Sequence, residues 1–216
     1  MKTSQYFLYS GISTWIFEEL CDELKNGIEW SLERRGLKGV ENSEFRDIVI
    51  GETTAKPLLT KYCAFISTEL ESRIAKMNNS GLEIERTPID PLAVLRKLQV
   101  ELNKIISERN KLIHNSWSPQ LLSDEVLAVR AYSKKISERG SMIKESELTE
   151  SGFRKFIINC ELLKRMISRL NYCLDTQSSL DQFFEITNDT ILPTNNVEME
   201  KLSILVEMQE QIEMLA

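Results

Sequence analysis

Apolar residues recur at helical spacing along most of this chain. Between residues 13 and 35, Phe17, Leu20, Leu24 and Ile28 alternate with charged positions, and Gly36 closes the stretch. Residues 52–77 repeat the pattern with Leu59, Tyr62, Ile66, Leu70, Ile74 and Met77, ending in "NNSG". A third helix is announced by Asp90, a capping residue, and Pro91, which suits the first helical position. It runs to about His114, where "NSWSP" stops it: Asn115 tolerates a left-handed backbone, and Pro119 bars continuation.

Residues 125–145 read differently. "EVLAVRAYS" is rich in small and β-branched residues, and "GSMIKE" follows a charged turn, which predicts a short β-hairpin or extended excursion. Thr149 then starts a long helix, with Leu148 and Phe153 spaced as a hydrophobic staple. Its stripe is Phe153, Phe156, Ile157, Cys160, Leu163, Ile167, Leu170 and Leu174. After "TNDTILPTNN" a last amphipathic helix carries Leu202, Leu205, Met208, Ile212 and Leu215. The expected fold is all-α: a helical domain over 1–180, then an acidic linker and C-terminal helix over 181–216.

Charge sharpens that division. The chain carries a net charge of −6, yet residues 181–216 hold eight acids against one base. The remainder is therefore close to neutral, neither repelled by a polyanion nor basic enough to read as a duplex binder. The four cysteines have no CxxC pair and no histidine at ligand spacing, so neither a metal nor a redox cofactor is expected and buried thiols are the simpler reading. Tyr6, Phe7 and Tyr9 are read as core packing rather than base-stacking groups, and Trp15, Trp30 and Trp117 as structural. The N-terminal apolar run is broken and meets Glu18 and Glu19. It reads as neither a signal peptide nor a membrane span, hence a cytoplasmic protein without a membrane partner.

One helix carries the chemistry. On a wheel of residues 94–114, Leu95, Leu98, Leu102, Ile105, Ile106, Leu112 and Ile113 form an apolar arc. Lys97, Glu101, Lys104, Glu108 and Lys111 form a solvated arc of alternating sign, from which Val100 departs. Asn103, Ser107, Asn110 and His114 lie between the two. Arg109 falls inside the apolar arc. A guanidinium keeps its charge at neutral pH and is very costly to bury unpaired. Either a carboxylate meets it, or that end of the face opens into a cleft that holds an anion. Asn110 and His114, four residues apart, stand one turn above the other. Arg109 and His114 are about 140° apart on an ideal helix, so one protomer brings them together only through the arginine's long arm or a distorted last turn, whereas a two-fold dimer packing this face would put two arginines and two histidines in one cleft.

These residues resemble a family signature. "RNKLIHNSW" is similar to the Arg-(Asn/His/Asp)-x-x-x-His motif of the HEPN superfamily, compact α-helical proteins that include metal-independent endoribonucleases of toxin–antitoxin, phage-defence and CRISPR systems. Arg109, Asn110 and His114 stand at its positions, late on a central helix. The resemblance implies a homodimer with a composite site at its interface, and an RNA substrate. It also implies an antitoxin or other defence-system protein as partner. Where many members carry glycine after the histidine, this chain has Asn115. Where some toxins carry a tyrosine modified by their antitoxin, it has Ser116, which argues against that mode of neutralisation.

The chemistry implied is attack of a ribose 2′-hydroxyl on the adjacent phosphate, leaving a 2′,3′-cyclic phosphate and a 5′-hydroxyl. It needs a base, an acid and positive donors, but no metal. His114 would supply acid or base, Arg109 would hold the phosphate, and Asn110 would orient the imidazole or the ribose. The rival expectation is a non-catalytic helical dimerisation or RNA-binding module within a larger defence assembly.

Overall fold

The computed structural model describes residues 3–39, 42–51, 53–79, 89–114, 116–121, 126–137, 140–178, 180–187, 190–193, 203 and 206. From Ile113 to Leu148 it describes backbone alone. Five helices occur among these residues: α1 (Thr3–Arg34), α2 (Ser43–Ile50), α3 (Ala55–Asn79), α4 (Pro91–His114) and α5 (Glu150–Thr176). The protein is mostly helical. Helix α1 packs against α3 and α5, and α4 packs against the same two from the other side. One apolar core results. Its centre holds Phe17, Leu20, Leu24 and Ile28 of α1, Leu58, Leu59, Tyr62 and Ile66 of α3, Leu98 and Leu102 of α4, and Ile157, Cys160 and Ile167 of α5.

Local sequence explains where the helices begin and end. Gly36, two residues past the end of α1, sits at φ 94°, a conformation that favours glycine. The Leu37 amide donates to the Leu32 carbonyl (3.1 Å) and the Gly36 amide to that of Glu33 (3.0 Å), which together close a Schellman cap. At the start of α4, Asp90 Oδ1 accepts from the Leu92 amide at 3.0 Å. At the start of α5, extended Thr149 accepts from the Gly152 amide at 3.0 Å. Each cap falls where its sequence signal stands.

Two departures concern helices. Helix α1 begins at Thr3, ten residues before the periodic stretch that announced it. Its added turns bury Tyr9 and Ile12, and the Tyr9 ring stacks with Phe153 at 6.1 Å. Helix α2, which the apolar spacing does not announce, has no fully buried residue; only Val49 and Ile50 pack partly against the core. It is tied by polar contacts as well. Arg46 reaches Glu33 (2.9 Å) and Glu29 (3.4 Å), and Lys61 Nζ of α3 donates to the Val49 carbonyl at 2.6 Å.

The aromatic expectations divide. Tyr9 is buried and Tyr6 packs partly against the core, but Phe7 is 67% exposed, and Trp15 and Trp30 are also exposed. Phe7, Gly11 and Trp15 stand four apart on the outward face of α1; wheel angle overrides hydrophobicity there. The Trp117 side chain lies outside the described residues.

Between α4 and α5 the backbone runs as β1 (Ser116–Leu121), β2 (Val126–Ser137) and β3 (Gly140–Leu148). Strand β2 pairs antiparallel with both neighbours, Trp117 opposite Ala131 and Ser137 opposite Gly140. After α5, Leu180 and Phe184 return to the core, and β4 (Phe184–Thr187) pairs antiparallel with β5 (Thr190–Pro193). The expected Asn115 turn lies outside the described residues. So does the C-terminal helix, apart from Ser203 and Val206, which are helical and exposed.

Candidate functional site

An open cleft of about 1060 Å³ lies between α1, the α2–α3 connection and the late turns of α4. Helix α1 contributes Phe17, Glu18, Cys21, Lys25, Asn26 and Glu29, residues three to four apart that form one stripe. Asp47, Ile50 and Gly51 close it from α2 and its end, and residues 53–56 from the start of α3. Helix α4 contributes Ile106, Arg109 and Asn110.

Arg109 meets both conditions that its position posed, a carboxylate and a cleft. Its side chain is three-quarters buried, 24% exposed. The guanidinium lies over the Phe17 ring, 5.2 Å from the centroid, where the ring's quadrupole attracts it. Arg109 Nη2 stands 3.8 Å from Glu18 Oε1, an ion-pair distance but too long for a hydrogen bond. Arg109 Nε is buried and has no hydrogen-bond partner. A five-donor group is thus held at a cleft wall by an aromatic face and a loose ion pair rather than by a bidentate carboxylate. The Arg34–Glu69 pair shows the contrast. There Nε and Nη2 reach the two carboxylate oxygens at 2.6 and 2.9 Å.

Asn110 is exposed and lines the same cleft. Two neighbours in its polar strip are spent locally: Ser107 Oγ donates to the Asn103 carbonyl and Asn103 Nδ2 to the Gln99 carbonyl, both at 2.8 Å. His114 is the last residue of α4. Its side chain lies outside the described residues, so the expected Asn110–His114 contact and the Arg109–His114 separation lie there too. Of the apolar arc, Leu95, Leu98, Leu102, Ile105 and Ile106 are buried, Leu112 is partly buried and the Ile113 side chain lies outside the described residues; Val100 is exposed.

The cleft wall is electrically balanced, with Arg109, Lys25 and Lys56 facing Glu18, Glu29 and Asp47. The Asp22 carboxylate accepts from Lys25 Nζ at 2.7 Å and raises the pKa of that ammonium, which keeps its charge. Burial first, then the Glu18 carboxylate, push the Cys21 thiol up to about 12. Cys21 is therefore a neutral lining group at physiological pH and not a nucleophile. No cluster of three metal-ligating side chains occurs among the described residues, and none of their helices is long and apolar enough to cross a membrane.

Phe17 and Glu18 are the site residues the sequence did not reveal. Phe17 was legible as core and Glu18 as one charge of a helix face. The pattern gives each residue's angle on α1, but not the approach of α4 that sets both beside Arg109. Comparison of the chain with protein-family models, curated proteins and solved structures gives no match.

Proposed function

We propose that the protein is a metal-independent endoribonuclease of HEPN type, acting as a toxin or phage-defence effector. The supporting observation is the placement of Arg109 and Asn110, adjacent in the motif, on one cleft, with Arg109 Nε unpartnered and Nη2 no nearer than 3.8 Å to its ion-pair acid among the described residues. The anion that completes it is the scissile phosphate, gripped bidentately as charge builds on its oxygens. The 2′-oxygen attacks phosphorus while the bond to the 5′-oxygen breaks. One imidazole takes the 2′-proton and another returns a proton to the leaving oxygen. The chain has a single histidine, so the second imidazole is the His114 of a two-fold mate. In this reading the helical body is a HEPN-like bundle, residues 116–148 are its extended excursion, and the acidic segment after residue 180 docks an antitoxin or other defence partner.

The test is cleavage of single-stranded RNA by purified protein in excess chelator, with product ends mapped. His114→Ala abolishes cutting, and circular dichroism of the variant matches wild type, which separates loss of the imidazole from loss of the fold. Cutting by His114→Ala as fast as wild type, or only after Mg²⁺ is added, rejects the assignment. The equal numbers of bases and carboxylates on the cleft wall favour a second reading, a helical dimerisation or RNA-binding module without catalysis. That reading predicts RNA retention with no new ends.

A further inference from the structure

We propose that Glu18 is an electrostatic gate on the Arg109 anion site, a carboxylate that a phosphodiester must displace to reach the guanidinium. The inference rests on the reading of Arg109 as a phosphate-binding group. Glu18 is the acid that approaches Arg109, and it does so loosely: Nη2 to Oε1 is 3.8 Å, and the Glu18 side chain is 54% exposed. A carboxylate whose task was to neutralise a buried arginine would close to hydrogen-bond distance, as Glu69 does on Arg34. Glu18 instead stands where it can swing into solvent at little cost, since its own side chain is half exposed and a long, partly solvated ion pair contributes little.

Arg109 does not depend on Glu18 for its position. The Phe17 ring, only 2% exposed itself, holds the guanidinium from below. Removing the Glu18 charge therefore leaves the arginine in place and takes a negative charge away from the incoming phosphate. The cleft wall carries two other acids, but Glu29 is engaged by Arg46 at 3.4 Å, and among the described residues no ion pair joins Glu29 or Asp47 to Arg109. Among the described pairs, Glu18 is the acid that bears on Arg109. A site gated in this way discriminates against weak single anions and admits a polyanion whose neighbouring phosphate also engages Lys56.

The experiment is fluorescence anisotropy of the full-length protein with a short labelled deoxyoligonucleotide. It presents phosphodiesters but lacks the 2′-hydroxyl, so binding is read apart from cleavage. Glu18→Gln tightens binding about three- to tenfold, the effect of one charge removed at close range in a partly solvated setting. In an Arg109→Gln background the same substitution has no effect. Glu71→Gln, on an exposed acid far along α3 from the cleft, has none in either background. Unchanged or weaker binding by Glu18→Gln overturns the gate and makes Glu18 a structural partner of the arginine. Equal tightening in the Arg109→Gln background overturns it as a general charge effect. An RNA cleavage assay separates the two readings. Cutting without a Glu18 effect leaves the nuclease standing and the gate rejected. A Glu18 effect without cutting leaves a gated anion site on a protein that is not a nuclease.

Discussion

The Tyr62 hydroxyl donates to Asn171 Oδ1 at 3.0 Å in the middle of the bundle, tying α3 to α5 across 109 positions of sequence. Both residues are fully buried. The other end of the amide reaches Glu23 of α1, Nδ2 standing 3.4 Å from the backbone carbonyl and 3.3 Å from Oε1. Gly27 makes room for the group, because a Cβ there would stand 2.5 Å from the Tyr62 ring and 2.7 Å from Asn171 Oδ1. Three helices thus meet on one polar cluster inside an apolar core.

Removal of one partner leaves a buried acceptor unmet. Tyr62→Phe is expected to lower stability by about 1–3 kcal/mol, and pairing it with Asn171→Leu to recover part of the loss. Gly27→Ala sets two effects against each other: helix propensity favours alanine by about 1 kcal/mol, while overpacking costs about 1–3 kcal/mol. The clash prevails because both neighbours, Tyr62 and Asn171, belong to the rigid hydrogen-bonded pair. Urea midpoints at constant slope measure all three variants, and a stabilised Gly27→Ala refutes the account.

Arg109 offers a sharper test, since ion pairing and phosphate gripping demand different things of it. Arg109→Lys keeps the charge beside Glu18 but loses the planar fork. If the residue serves the phosphate, lysine fails to restore cleavage. Stability changes by about 1 kcal/mol or less, the scale of a cation–π contact at a partly exposed site. Full activity with lysine at this position argues that only charge matters there.

Alkali should weaken the fold before it ionises the native thiols. Burial pushes Cys63 and Cys173 up to about 11 and Cys21 to about 12, and raises Cys160 further. Burial also holds the Tyr62 phenol well above its usual range. The folded state therefore binds these protons more tightly than the unfolded chain, whose thiols titrate near 9. The stabilisation is complete below that pH and is lost as pH climbs toward about 12. Urea midpoints measured in reductant should be level from about pH 7 to 8 and fall beyond about 9. A flat profile to pH 10.5 shows that the thiols are less buried than described.

The helices were legible because each needs a repeating apolar stripe, and the capping residues Asp90, Thr149 and Gly36 mark their ends. The Tyr62–Asn171 cluster was not, because a tyrosine within a stripe and an asparagine within a charged helix give no sign of facing each other. Arg109 stood out by its misfit with its own arc, which flagged the site without naming Phe17 or Glu18. Helix α2 shows the converse. Its apolar residues divide between exposed Phe45 and Ile48 and partly buried Val49 and Ile50, so this eight-residue stretch gives no stripe that marks a buried face, and Arg46 and Lys61 add polar ties.

That mode of attachment divides the cleft thermodynamically. The walls from α1 and α4 are continuous with the core, so their amides are expected to be protected by the stability of the bundle itself. Detaching α2 exposes no fully buried side chain, only the partly buried Val49 and Ile50, and breaks a few polar contacts, so it is expected to open at lower free energy than the bundle. Asp47 and Ile50 ride on that segment. Denaturant strong enough to loosen α2 but too weak to unfold the bundle would thus widen the cleft while leaving Arg109 seated on Phe17, making the width of the binding site an adjustable quantity and its anion anchor a fixed one.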